Sequence, residues 1–376
     1  MEGDLVQLFF LKTVLSNFSQ STGLKVNYNK SLMLPINVPE QRLKLLANTF
    51  GCQTGTLPFT YLGLPLGTTK PRIIDFLPLV NKCERRLGGI SDLLNQAGRL
   101  QVTNAVFSSL PTYYMCTLEI PKAVIKQIDK FRKSCLWRGN NANGTGQPKV
   151  AWKLVCKDKS EGGLGIIDLK TQNQALLMKN LDKFFNKKEI PWVHMVWEKL
   201  YSNNRLPAHT RKGSFWWRSI IKLLPLFKGF AQIQINNGKT CFLWHDQWQT
   251  RTLEESYPQL YSFAKNKSIT LHKALATENC VDLFNLPLSL AAHQQFTLLQ
   301  QSMSLVQINN QMNDVWTFFG NNSVYSSSKA YKRLMGHQQI EPAFHWIWKS
   351  PCQPKHKVLC WLLLNDRLST RKILLM

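Results

Sequence analysis

Acidic residues are scarce in this sequence. Only 22 Asp and Glu stand against 47 Lys and Arg in 376 residues, a net charge of +25 with a pI near 9.8. No two aspartates adjoin anywhere. Two-metal nucleotidyl transfer needs carboxylates gathered on neighbouring strands to hold both ions, and the acidic residues here are scattered singly apart from Glu254-Glu255, in a loop-like stretch. There is also no Gly-x-Ser-x-Gly, no His-Glu-x-x-His and no Gly-x-x-x-x-Gly-Lys, which removes the familiar serine-hydrolase, zinc-protease and phosphate-loop signatures. The nine cysteines are an odd number without a Cys-x-x-Cys pair, so reduced thiols in a nuclear or cytoplasmic setting are expected. The longest comparable apolar run, Val358–Leu364, falls far short of a membrane span. The start, Met1-Glu2-Gly3-Asp4, lacks a basic segment followed by an apolar one, so secretion is not expected. Internal repeats and low-complexity tracts are absent too.

What is present is a folding composition, 44% apolar and 11% aromatic, in a chain long enough for two or three domains. The charge is concentrated. Residues 121–230 hold 22 basic and 7 acidic groups, whereas 231–320 hold 5 and 6. Solubility does not require such clustering, so a polyanion, RNA or DNA, is the expected partner, ahead of a merely solvated surface or a membrane.

Periodicity places a helix over residues 5–18, with Leu8, Leu11, Leu15 and Phe18 as its apolar stripe. A turn and a strand at Leu32–Ile36 follow, then a helix from Pro39 to Phe50 stopped by Gly51, then a tight hairpin over Phe59–Gly67. Helical signal continues to about 138, opening with a stripe of Ile73, Phe76, Leu77, Val80 and Leu87. The polar insert Asn140–Gly146 is the candidate boundary. Beyond it come a helix at about 168–186 and a hairpin joining 232–235 to 240–244 through Asn237-Gly238. A second hairpin is expected around Gly320-Asn321-Asn322, then helices at 328–335 and 355–367. The whole reads as α+β.

The segment 121–138 is the most informative. Val124, Ile125, Ile128, Phe131 and Cys135 fall on one helical face, and Lys122, Lys126, Lys130 and Lys133 on another. That is a core face opposite a stripe suited to phosphates, although lysines merely solvated on an ordinary amphipathic helix fit the same pattern. Gly162-Gly163-x-Gly165 lacks the strand and spacing of a dinucleotide loop and reads as a tight turn. Cys352, His356 and Cys360, with His345 upstream, have helical spacing, but Pro351 and Pro354 interrupt the helix start and no fourth ligand is assigned. Core packing is the better reading, and no metal is expected. Of the twelve tryptophans, one or two stacked against bases is the most the pattern supports.

Several blocks in fixed order carry a family resemblance. Gly23-Leu24-Lys25-Val26-Asn27 with Lys30-Ser31, and Phe59-Thr60-Tyr61-Leu62-Gly63-Leu64-Pro65-Leu66-Gly67, resemble the last palm motifs of reverse transcriptases from plant LINE-type, non-long-terminal-repeat retrotransposons. Asn95–Leu100, Leu110–Tyr114 and Leu136-Trp137-Arg138-Gly139 are similar to the thumb; Val150-Ala151-Trp152, Gly162–Gly165 and Trp244–Trp248 resemble the connecting region. From Val315-Trp316 through Trp361–Leu364 the chain is similar to the start of the zinc-binding domain of reverse transcriptase.

The resemblance implies an end of palm with a β-hairpin over 1–70, a mostly helical thumb over 71–139, a mixed α/β connector with hairpins over 140–310, and a helical start of the zinc-binding domain over 311–376. It also implies nucleic-acid contacts from Lys122, Lys126, Lys130, Lys133 and Arg99, and from Tyr61 and Gly63 of the hairpin. Lys30 matches a basic residue proposed to protonate the leaving pyrophosphate. The family's catalytic aspartates would precede Asp4, and its zinc ligands would follow Met376. The expectation is thus a truncated reverse-transcriptase-derived protein that binds RNA and DNA nonspecifically, has no catalytic residue beyond a vestigial Lys30, and needs no cofactor; the intact family enzyme uses magnesium. Complementation of a polymerase in trans, or a host-adopted binding role, are the alternatives.

Overall fold

The computed structural model describes residues 4–89, 94–139, 148–201, 206–207, 213–318, 324–336 and 340–368. It divides into two compact units, residues 1–76 and 77–376. Helices dominate both and strands are few and short, an α+β architecture as expected. The expected boundary at Asn140–Gly146 lies outside the described residues.

In the first unit, α1 (Leu5–Thr22) starts where the Asp4 carboxylate accepts from the Val6 N–H and ends at Gly23, φ +75°. Its stripe differs from expectation. Leu8 is buried and Leu15 half-buried, but Leu11 and Phe18 are exposed. The inward face instead includes Lys12, whose Nζ donates to the Thr49 carbonyl at 3.0 Å and lies 5.9 Å from the Tyr28 ring centroid. Thr49 closes α2 (Glu40–Phe50), so the ammonium sits at the negative end of that helix while its stem packs as an apolar group. The expected strand at 32–36 shortens to β1 (Leu32–Met33), paired in parallel with β2 (Gln53–Thr54). β3 (Phe59–Tyr61) and β4 (Leu64–Leu66) form the expected hairpin, with Leu62 and Gly63 both at positive φ as its two-residue turn requires.

The second unit opens with α3 (Leu77–Gly88), α4 (Gln96–Val102), α5 (Thr112–Thr117), α6 (Lys122–Arg138) and α7 (Trp152–Val155). Of the stripe expected near its start, Phe76, Val80 and Leu87 are buried while Ile73 and Leu77 are exposed, and Leu79 and Cys83 are buried beside them. α8 (Leu169–Phe185), α9 (Pro191–Tyr201), α10 (Phe215–Ile221) and α11 (Leu224–Lys228) lead to β5 (Ala231–Gln234). Then come α12 (Leu253–Ser256), which holds Glu254-Glu255 in a short helix rather than a loop, α13 (Pro258–Ser262), α14 (Leu271–Leu275) and α15 (Leu290–Ser304). β6 (Val315–Phe318), α16 (Ser327–Met335), α17 (Pro342–Lys349) and α18 (Pro354–Leu364) complete the order. α18 ends three residues before the expected Arg367, with Asp366 at φ +52°.

The first hairpin expected in this unit is corrected. β5 pairs antiparallel with β6, Ala231 opposite Phe318 and Gln234 opposite Val315, so the strands meet across some eighty residues of chain rather than through Asn237-Gly238. The reason is the buried Asp314. Its carboxylate accepts from the backbone N–H groups of Asn236, Gly238 and Thr240 and from the Thr240 hydroxyl, at 2.8–2.9 Å. Those donors are spent on a side chain, so 240–244 turns away, and Leu243 and Leu271 exchange backbone bonds with Ile269 and Cys241. At the second site, residues 319–323 lie outside the described residues, and 327 already belongs to α16.

Among the described residues, two core clusters of this unit bear on the site. The larger gathers Phe184, Phe185, Trp217, Phe227, Trp244, Trp316 and Phe318, and Trp197 stacks on Phe184 with ring centroids 4.3 Å apart. The smaller joins Leu100, Leu136, Val155 and Leu164 to Phe344, Val358 and Trp361. Trp361 Nε1 donates to the Gly162 carbonyl at 2.8 Å. The glycine turn is required there, because a Cβ on Gly163 would meet the Lys157 carbonyl oxygen at 2.0 Å.

Candidate nucleic-acid interface

α6 is flanked by Pro121 at its start and by Gly139, whose φ of +73° closes it. Val124, Ile125, Ile128, Cys135 and Leu136 are buried on its inner side, while Phe131 is only half-buried. The periodicity missed two inner residues, Leu136 and a charged one. Arg132 is fully buried, and its guanidinium donates to Asp129 at 2.7 Å, to the Ser108 hydroxyl at 3.0 Å and to the Ile167 carbonyl at 2.6 Å. Burial pushes the Asp129 carboxyl up, and the Arg132 guanidinium pulls against that shift. An arginine out of water is costly unless paired; Nη1 and Nη2 are engaged, and the buried Nε has no hydrogen-bond partner. Here Arg132 locks α6 against the 166–168 segment. The only sequence signal for it was a charge at a helical position between Ile128 and Leu136.

With the inner face fixed, Lys122, Lys126 and Lys130 stand exposed along the outer one. Lys133 is half-buried, its Nζ 5.5 Å from the Trp152 ring centroid, and the Arg132 guanidinium lies 5.4 Å from the same ring. Beside this face are two adjoining grooves of about 720 and 340 Å³ that share Lys133, Trp137 and Pro148. Glu84, Lys126, Lys130 and Arg138 line the larger; Lys149, Trp152 and Arg367 line the smaller.

The other expected contacts are placed differently. Arg99 is half-buried, with its guanidinium against the Gly139 backbone, where a Cβ would come within 2.9 Å of it. Tyr61 is exposed in β3 and Gly63 stands in the open hairpin turn; Lys30 is exposed in a short 3-10 turn whose backbone the Asn27 side chain caps at 3.1 Å. All three belong to the first unit, and α6 to the second.

Cys352, His345 and His356 are exposed and Cys360 is half-buried. Among the described residues no three His, Cys, Asp or Glu side chains gather as metal ligands, so these four do not fit a zinc site. All nine cysteines are free. Among the described residues no helix is long and apolar enough to cross a membrane.

Residues 325–376 match the protein family described as zinc-binding in reverse transcriptase. A protein of Arabidopsis thaliana named as a ribonuclease H protein is 30% identical over 179 residues, 46% of this chain and 29% of that protein. An uncharacterized mitochondrial protein of the same plant is 28% identical over 148 residues, 37% of this chain and 92% of that protein. The chain thus spans less than a third of the first relative's length and nearly all of the second's. It is related to reverse transcriptases through its carboxy-terminal segment, which is part of both cores: Tyr325 donates to the Ala175 carbonyl, Tyr331 accepts from the Asp168 N–H, and Trp361 reaches Gly162.

Proposed function

We propose that this reverse-transcriptase-related chain binds RNA and DNA without sequence preference through the outer face of α6. The observation that carries the reading is the row of Lys122, Lys126 and Lys130, exposed on a helix whose opposite face is held by the buried Arg132. Cations so arranged neutralise phosphates and release counterions, which gives affinity with little sequence information. The surplus charge of residues 121–230 supports the same partner.

The ordered palm-like and thumb-like blocks support descent from a LINE-type retrotransposon, with Tyr61, Gly63 and Arg99 as further contacts, and the reduced cysteines suit the nucleus or cytoplasm. With no adjacent aspartates in the sequence and no metal-ligand cluster among the described residues, two-metal chemistry is left out of this reading, and Lys30 then has no leaving group to protonate. Binding rather than turnover is the activity.

The test replaces Lys122, Lys126, Lys130 and Lys133 by Gln and measures affinity for a mixed-sequence duplex as a function of salt. Each lost phosphate contact lowers the salt slope by about one, so a fall of about three to four is expected. An unchanged affinity and slope would remove α6 from the interface. Primer extension by the purified chain on an RNA template with magnesium would overturn the non-catalytic reading.

A further inference from the structure

We propose that the paired grooves beside α6 hold a single strand, its phosphates along Lys126, Lys130, Lys149 and Arg367 and at least one base stacked on Trp152. This rests on the proposed function and narrows it to a strand form and a mode of contact. The two grooves share Lys133, Trp137 and Pro148, so they lie side by side along one strip of surface. Among its charged lining residues only Glu84 is acidic; Lys126, Lys130, Lys133, Arg138, Lys149 and Arg367 are cationic. Lys126 and Lys130 are one helical turn apart, about 6 Å along the axis, close to the spacing of successive phosphates in an extended strand.

Two indoles, Trp137 and Trp152, stand among those basic residues, each half-buried against the smaller core. A basic groove interleaved with aromatics is the arrangement that binds unpaired bases, because every base has a face to stack and every nucleotide a phosphate to neutralise. A duplex keeps its bases stacked on one another and would use the phosphate contacts alone. Trp152 is also held in place before any strand arrives. Arg132 lies over its ring while tied to Asp129, Ser108 and Ile167, so the stacking surface loses little freedom on binding. That assigns the buried arginine a positioning role.

The experiment measures binding of the full chain to three ligands of about twelve nucleotides per strand, by fluorescence anisotropy at one salt concentration: single-stranded oligothymidine, an abasic strand with the same phosphates, and a blunt duplex. The normal single strand is expected to bind about tenfold more tightly than the abasic one, the gain typical of one stacked base. Trp152→Leu is expected to abolish that difference, and Trp152→Phe to restore it. Equal affinity of the wild-type chain for normal and abasic strands overturns this inference and leaves the α6 reading intact. That comparison needs no variant, so it decides even where Trp152→Leu fails to fold. Failure of all three ligands to bind overturns both.

Discussion

The two units use apolar residues in opposite ways. In the first, α1 leaves Val6, Phe9, Phe10, Val14 and Phe18 exposed, and Phe10 keeps 72% of its surface. In the second, Trp217, Trp244, Trp361, Phe184, Phe185 and Phe318 are all but fully buried, and the large core is joined edge to face through ring after ring. Both stretches are rich in large apolar side chains, so composition does not separate them. What differs is the number of elements available to close over a face. α1 has α2 and two short strand pairs in its unit, whereas α8 has α5, α10, α11 and α16 packed around it. Burial is a property of the partners as much as of the residue.

The largest expected effect breaks the second unit at its polar centre. Asp314→Ala orphans the buried N–H groups of Gly238 and Thr240 and the part-buried one of Asn236, and should cost on the order of 4 kcal/mol. All twelve tryptophans lie beyond residue 77, so tryptophan fluorescence during urea unfolding reports this unit alone. A loss below about 1 kcal/mol would mean that another acceptor replaces the carboxylate.

A smaller effect comes from buried thiols. Burial pushes the Cys83 thiol from its usual 9.0 up to about 11 and Cys156 up to about 12. The unfolded chain therefore loses these protons at lower pH than the folded chain does. The folded state binds more protons above pH 9, so stability is complete below that value and falls as pH rises towards the folded values. Between pH 9 and 10 the loss should be on the order of 1 kcal/mol for each thiol. Replacing both by Ser is not equivalent, because it buries hydroxyls; Cys83→Ala with Cys156→Ala should flatten the alkaline limb of a melting-temperature profile.

The smallest effect sharpens the contrast from the other side. Phe10→Ala, at an exposed position of α1, should change stability by no more than about 0.5 kcal/mol, as surface substitutions do. Hydrogen exchange in α2 of the full chain is the readout. A large acceleration there would show that Phe10 belongs to a core after all.

Much of this architecture was readable in local sequence because local chemistry causes it. Gly23 and Gly51 stop helices at positive φ, Leu62-Gly63 closes a two-residue turn, and α6 and α8 follow their apolar periodicity. The hairpin across Asn237-Gly238 failed for an equally physical reason. Turn residues state that the chain bends, but a carboxylate 76 residues away takes the donors that a second strand would have needed. The lysine face of α6 was legible as a period. The pair of grooves beside it was not, since Trp137, Lys149, Trp152 and Arg367 converge only after folding.

By itself the sequence determined the charge and its concentration in 121–230, the lack of adjacent aspartates and the helical character of most segments. Each of these depends on residue identity or on neighbours within a turn or two. Tertiary structure alone decided which apolar faces found cover, that β5 would pair with β6, and that Arg132 would turn inward and hold Trp152. Those outcomes depend on atoms brought together from distant stretches of chain, where the cost of burying a charge or leaving a donor unpaired is set by whatever happens to lie opposite.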